Sequence, residues 1–207
     1  MSNQNLKDKI AIVTGAGSGI GTGISKILHD RGATLALCDL FGESAEKTAK
    51  NLSNDYLFDS VDVTEKSDIE KFRDKVIDKH GKIDILVSNA GVIGAKGFAE
   101  RKNYSKQDWD DMISVNLTAP FLASQAVIPH MIKNGKGKII NFGSIASFMG
   151  RPDKVGYVAA KSGVLGLTRA LSVDLTGKNI NVNTICPGLI STSFNQKYAE
   201  DPTHGEA

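Results

Sequence analysis

The chain has 207 residues, 41% of them hydrophobic, with 25 Lys and Arg against 23 Asp and Glu. That length suits one globular domain with a real core, and the near-balance of charge gives no electrostatic case for nucleic acid or an anionic membrane surface as partner. The N-terminus, MSNQNLKDK, has no apolar segment of signal type, and no apolar run approaches the ~20 residues of a membrane span. His29, His80, His130 and His204 show no metal-ligand spacing, so no metal site is expected. Cys38 and Cys186 each end an apolar run, far apart in the chain. Free buried thiols in a reducing compartment, the cytoplasm, are the expectation.

The first apolar run, residues 10–13 (IAIV), is short, β-branched and continuous, as a strand buried on both faces should be. Next comes Thr14-Gly15-Ala16-Gly17-Ser18-Gly19-Ile20-Gly21, and then a helical pattern through Ile24, Ile27 and Leu28. Strand, glycine turn and helix in that order describe a phosphate-binding site. Glycines let the backbone approach a pyrophosphate closely, and the helix N-terminus offers unpaired N–H groups. The spacing is GxxxGxG, not the strict GxGxxG, and a merely flexible glycine-rich loop is the bland alternative. A second strand, residues 34–38, ends at Asp39. An acidic residue about 20 positions past the glycine turn fits a ribose 2′-hydroxyl and repels a 2′-phosphate. The loop also carries no Arg or Lys to receive such a phosphate, so NAD is favoured over NADP. Asp39 is equally placed to cap the next helix, residues 42–52.

A third strand is expected near residues 56–61, followed by Asp62-Val63 and a helix over 65–80, where Ser67 and Glu70 make a possible capping box. A fourth strand, 83–87, runs into Ser88-Asn89-Ala90-Gly91, a small polar cluster of the kind found at the binding edge of a parallel sheet. Residues 92–104, with Gly94 and Gly97, read as a loop beside the site. A long helical pattern then starts near Ser105 and includes Trp109, Met112, Ile113 and Val115. Asn116 interrupts it with a poor interior helix residue, and Pro129 implies a kink or an early end. Gly135 and Gly137 precede a fifth strand, 138–142, which leads into Gly143-Ser144. A sixth strand, 180–186, leads into Pro187-Gly188, and the tail DPTHGEA is polar. Six strands alternating with helices imply an α/β fold, a doubly wound parallel sheet with helices on both faces.

Between the last two strands lies Tyr157-Val158-Ala159-Ala160-Lys161. On a helix this spacing stacks a phenol and an ammonium on one face. A free phenol titrates near 10 and is a poor proton carrier at neutrality. A fixed cation beside it favours the phenolate, so the pair reads as a tuned acid/base. The bland alternative is a surface helix with a snorkelling lysine. Val164, Leu167, Leu171 and Leu175 share the pair's face, which predicts that this face turns inward.

Taken together, TGAGSGIG at 14–21, Asp39, Asp62-Val63, SNAG at 88–91, Asn116, Ser144, the YxxxK at Tyr157 and Lys161, and Pro187-Gly188 resemble the short-chain dehydrogenase/reductase family over nearly the whole chain. The resemblance implies a Rossmann-type dinucleotide-binding fold and hydride transfer between a nicotinamide and an alcohol or carbonyl carbon. It assigns Tyr157 as general acid and base, Lys161 as the residue that lowers its pKa and holds the nicotinamide ribose, Ser144 as the hydrogen-bond partner of the reacting oxygen, and Asn116 as the holder of a relay water. For cofactor binding it implies Gly15, Ser18, Gly19, Ile20 and Gly21 at the pyrophosphate, Asp39 at the adenosine ribose, and Asp62 and Val63 at the adenine. Asn89, Ala90 and Gly91 would lie along the cofactor edge, with Pro187, Gly188, Ile190 and Thr192 near the nicotinamide. SNAG replaces the commoner NNAG. The family usually continues past Ala207 with a further helix and strand, so residues 1–207 are expected to be a single dinucleotide-binding and catalytic domain, C-terminally truncated. A dimer or tetramer through the helices near 105–133 and 153–175, and a small alcohol or carbonyl substrate as partner, complete the expectation. Phe148, Met149 and Phe194 suggest an apolar wall to the substrate pocket. The competing readings are a catalytically idle dinucleotide-binding sensor or scaffold, and another Rossmann-type enzyme such as a methyltransferase.

Overall fold

The continuous apolar runs form a six-stranded parallel sheet: β1 (Ile10–Thr14), β2 (Thr34–Asp39), β3 (Leu57–Ser60), β4 (Ile85–Ser88), β5 (Gly137–Phe142) and β6 (Ile180–Ile185), in the order β3-β2-β1-β4-β5-β6. The helices are α1 (Gly19–Asp30), α2 (Gly42–Leu52), α3 (Lys66–His80), α4 (Lys106–Ile113), α5 (Ala119–Lys133) and α6 (Val155–Asp174). The computed structural model describes residues 5–53, 55–93, 104–152 and 154–192. β1 and β4 flank the point where strand order reverses and are buried along their whole length, which is why both read as unbroken apolar runs. β6 has β5 as its strand partner and alternates instead. Ile180 and Val182 are buried, Asn181 and Asn183 exposed, the period of a strand covered on one face.

Alternate strand residues feed two cores. On one face Ala11, Val13, Leu35 and Leu37 pack against Ile20, Ile24 and Leu28 of α1 and Ala49 and Leu52 of α2. On the other, Ile12, Cys38, Leu86, Ile139 and Val182 meet Phe72 and Val76 of α3, Val127 and Met131 of α5, and Leu171 and Leu175 in and after α6. Burying one such aliphatic side chain is worth roughly 1.5–3 kcal/mol. The carboxyl ends of β1, β2, β4 and β5 therefore share one rigid edge, with a crevice at the reversal between β1 and β4, where ligands bind in such sheets.

Several local expectations are corrected. The capping box at Ser67 and Glu70 does not form. α3 begins after Glu65 with no side-chain cap, which puts Ser67 inside the first turn, while Glu70 pairs with Lys66. A capping box appears one helix later: Ser105 Oγ accepts the Asp108 N–H at 3.1 Å and Asp108 Oδ2 accepts the Ser105 N–H at 2.9 Å. Pro129 neither ends nor shortens α5, which runs on to Lys133. α4, a π-turn at Ser114–Thr118 and α5 form one 28-residue helical rod, long and apolar enough to cross a bilayer by length and composition only. Met112 is buried, and Ala123, Val127 and Met131 are buried in the core against the sheet. Cys38 is buried and Cys186 only half-buried, both as free thiols.

Candidate active site

Between β1 and α1 the backbone is shaped for close approach. Gly15 and Gly19 adopt φ of +62° and +52°, left-handed values that favour glycine. A Cβ on Gly15 would lie 2.8 Å from the Ala90 Cα, and one on Gly21 would lie 2.0 Å from the Gly15 carbonyl oxygen. Ser18 precedes α1 without a side-chain cap, so the first-turn N–H groups of Gly19, Ile20 and Gly21 have no intrahelical partner and sit at the positive end of the helix dipole. Asn89 props the turn from β4. Its Nδ2 donates to the Thr14 carbonyl at 3.1 Å and the Gly15 carbonyl at 3.0 Å, and Thr14 Oγ1 accepts the N–H groups of Asn89 and Ala90.

Asp39 does not cap α2, whose N-cap is Phe41. Its Oδ2 accepts the Gly17 N–H at 3.0 Å and its Oδ1 the Phe41 N–H at 3.2 Å, which fixes the carboxylate at the end of β2 beside the glycine turn. Asp62 Oδ1 accepts both the N–H (2.9 Å) and the hydroxyl (2.6 Å) of Thr64, turning the chain toward α3 next to buried Val63. A glycine-lined turn on a helix N-terminus, with a carboxylate fixed one strand away, has donors for a pyrophosphate and an acceptor for a ribose diol. These residues fit a dinucleotide.

Ser144 leaves β5 through Gly143 and caps a single 3₁₀ turn, Ile145–Ser147, with its Oγ accepting the Ala146 N–H at 3.1 Å. α6 sets Tyr157 and Lys161 one turn apart, with the Ser144 hydroxyl near enough to the phenol to act on its proton. Lys161 is buried. Its Nζ donates to the Phe142 carbonyl at 2.8 Å and lies 5.9 Å from the Tyr157 ring centroid. Burial pulls the Lys161 ammonium down to about 8, opposed by the Cys186 sulfur. Burial also pushes the Tyr157 phenol above its ordinary value, while the Ser144 hydrogen bond and the Arg151 charge pull it back. This corrects the expectation that Lys161 depresses the phenol. Both groups share a dry site that penalises either charge, and the ammonium is engaged by the Phe142 carbonyl.

Asn116 lies in the π-turn of the helical rod and is fully buried. Its Oδ1 accepts the Val92 N–H at 3.2 Å, and its Nδ2 donates to the carbonyls of Val92 (2.9 Å) and Met112 (3.1 Å). The amide is engaged by protein groups, and it clamps the chain leaving Gly91 to the rod. A Cβ on Gly91 would lie 3.0 Å from Asn116 Oδ1 and 3.5 Å from Lys161 Nζ, so Gly91, Asn116 and Lys161 converge on one point. A buried polar triad escaped the sequence reading. Asn141 Nδ2 and the Thr184 hydroxyl both donate to Thr168 Oγ1, at 3.0 and 2.7 Å, tying α6 to β5 and β6. The signal available was Thr168 seven residues past Lys161, on the same helix face.

Beyond β6 the Pro187 carbonyl accepts the Ile145 N–H at 3.0 Å, fastening the segment that holds Gly188 to the serine turn. Thr192 reaches the glycine turn, its Cβ 3.4 Å from where a Cβ on Gly19 would stand. Ile190, Phe148 and Met149 are exposed. Gly94, Gly97 and most of the 92–104 loop, Phe194 and the tail lie outside the described residues.

Sheet order, glycine turn and the polar edge over β4 and β5 define the class as a Rossmann-type nucleotide-binding α/β protein. The family model described as short chain dehydrogenase matches residues 9–203, and the chain belongs to this family of oxidoreductases. It is 36% identical over 198 residues to a 3-oxoacyl-(acyl-carrier-protein) reductase of Thermotoga maritima, covering 94% of this chain and 79% of that protein. It is 37% identical over 205 residues to D-threitol dehydrogenase of Mycolicibacterium smegmatis, covering 98% and 77%. Among solved structures, the 3-ketoacyl-(acyl-carrier-protein) reductase of Brucella melitensis complexed with NADH superposes with a TM-score of 0.87 at 30% identity, over 92% of this chain and 79% of that one.

Proposed function

We propose that this chain transfers a hydride between NAD(H) and a secondary alcohol or ketone, with Tyr157, Lys161, Ser144 and Asn116 as its catalytic set. The observation that carries the reading is the meeting of Ser144, Tyr157 and buried Lys161 on the sheet edge that also holds the glycine turn. The nicotinamide, when bound, supplies the hydride donor or acceptor. Tyr157 gives its proton to the substrate oxygen in reduction and takes it in oxidation. A phenol held above its ordinary value stays protonated at neutral pH, the state needed for donation. Ser144 Oγ is the second hydrogen-bond partner of that oxygen and orients it. Lys161, at about 8, remains mostly cationic at neutral pH and would hold the nicotinamide ribose. With the Asn116 amide engaged, a relay water at this residue would fall to its backbone carbonyl.

The fixed carboxylate of Asp39 favours NAD over NADP, since a 2′-phosphate there would meet like charge. Assembly as a dimer or tetramer would use the faces of α4, α5 and α6 where Trp109, Phe121, Ile132 and Val173 are exposed. Calorimetric titration with NADH and NADPH side by side tests the cofactor, with tighter NADH expected and tighter NADPH overturning the Asp39 assignment. NADH-dependent reduction of small ketones, beginning with ethyl acetoacetate, tests the chemistry. Turnover should vanish in Tyr157→Phe while NADH binding survives, and NADH binding with no turnover across a ketone panel would favour the idle sensor.

A further inference from the structure

Ser147 belongs to neither the glycine turn nor the Ser–Tyr–Lys cluster, yet its hydroxyl lies between the two halves of that cluster. Its Oγ donates to the backbone carbonyl of Lys161 at 2.6 Å and accepts the backbone N–H of Ser144 at 3.2 Å. The Ser147 N–H donates to the Ser144 carbonyl at 2.9 Å, and the Ser147 carbonyl accepts the Ser162 hydroxyl at 3.3 Å. The residue is buried, so neither hydroxyl bond is readily replaced by solvent. Gly143 makes room for this hydroxyl, because a Cβ there would stand only 3.0 Å from Ser147 Oγ.

The Lys161 carbonyl lies in the interior of α6, where it also serves the helix ladder. A second donor on it fixes the height of α6 relative to the 3₁₀ turn. Ser144 sits three residues before Ser147, and Tyr157 one helical turn before Lys161. One hydroxyl thus ties the backbone that carries Ser144 to the helix that carries Tyr157. We infer that Ser147 is a positioning residue, which holds the Ser144 hydroxyl in register with the Tyr157 phenol by bracing the serine turn against the backbone of α6. This rests on the catalytic reading above, and it adds a residue that touches neither substrate nor cofactor.

The test is nuclear magnetic resonance on protein labelled at the tyrosine ring carbon that bears the oxygen, whose shift reports the hydrogen bond to the phenol. There are four tyrosines, and the Tyr157 signal is the one lost in Tyr157→Phe. Ser144→Ala marks the position with the Ser144 hydroxyl gone. Ser147→Ala should move the Tyr157 signal most of the way to that mark at neutral pH, and Ser147→Thr, which keeps the hydroxyl, should return it. Arg151 on the preceding loop also acts on this phenol, Lys161 lies 5.9 Å from its ring centroid on the same helix, and both are intact in each variant. If Ser147→Ala does not fold, Ser147→Cys serves in its place, matching the volume with a much weaker donor and acceptor. A folded Ala or Cys variant whose Tyr157 signal stays at the wild-type position overturns the inference. So does a Thr variant that behaves like Ala. Failure of the oxidoreductase reading would look different: the wild type would reduce no ketone, while the signal would still move.

Discussion

Between β1 and Asp39 the site is made of backbone, whereas between Ser144 and Lys161 it is made of side chains. The glycine turn gets its shape from left-handed φ values and missing Cβ atoms, and its outside props are the Asn89 amide and the Asp39 carboxylate. The Ser–Tyr–Lys half draws on β4, the π-turn, β5, the 3₁₀ turn and α6, and its groups are brought together from segments far apart in the chain. A backbone cradle tolerates side-chain change but not an added Cβ. A side-chain cluster tolerates small backbone adjustments but not the loss of a functional group. Electrostatics also differ, because the cradle presents partial positive charge from oriented N–H groups, while the Ser–Tyr–Lys half holds ionisable groups in a dry place at a cost.

Removal of the phenol oxygen breaks the comparison most sharply. Tyr157→Phe should lower hydride transfer by about a hundredfold to ten-thousandfold, with the calorimetric affinity for NADH unchanged within about twofold, since the cradle is independent of the phenol. The next largest effect is a linkage. Lys161 titrates near 8 when folded against 10.5 as a free side chain. Between those values the unfolded chain carries a proton that the folded one lacks, so the contribution of Lys161 to stability rises with pH across that window. Urea unfolding from about pH 7 to about pH 10 should show wild type gaining roughly 3 kcal/mol on Lys161→Met, near 1.4 kcal/mol per unit. The raised Tyr157 phenol acts in the opposite direction, losing stability above 10, but it is present in both proteins and cancels. A flat difference would mean that Lys161 is solvated in the folded state.

Thr168→Val removes the shared acceptor of Asn141 and Thr184 while keeping shape. Chemical denaturation should show a loss of about 1–3 kcal/mol, the cost of stranding buried polar groups, with NADH affinity unchanged because the cradle lies across the sheet. The smallest effect sharpens the cradle itself. Asp39→Asn retains a carbonyl acceptor for a backbone N–H but removes the charge, so the ratio of NADPH to NADH affinity should rise by about tenfold, read by paired titrations. A ratio that does not move would place the 2′ position of the cofactor away from Asp39.

How much of this was legible in the chain depends on the range of the forces involved. β1, β2 and α2 could be read within a residue or so because runs such as IAIV and TLALC carry local burial patterns. The glycine turn was legible because its spacing encodes a backbone path. The capping box was misplaced by one helix because Ser-x-x-Glu is a statement about the N-cap, and packing of α3 put that position at Glu65. The early end offered for Pro129 does not occur, because α5 runs on to Lys133 with Met131 held in the core. From the sequence alone came the parallel α/β sheet, the binding edge and the candidacy of Tyr157, Lys161, Ser144 and Asp39, through local pattern and family spacing, while the strand order came from the structure. Only the tertiary structure decided the direction of the Tyr157 and Lys161 shifts, the clamping of Val92 by Asn116, and the bracing by Ser147 and Thr168. Those depend on burial and on contacts between residues far apart in the chain, and desolvation in a shared dry site outweighs the charge pairing that a four-residue spacing suggests.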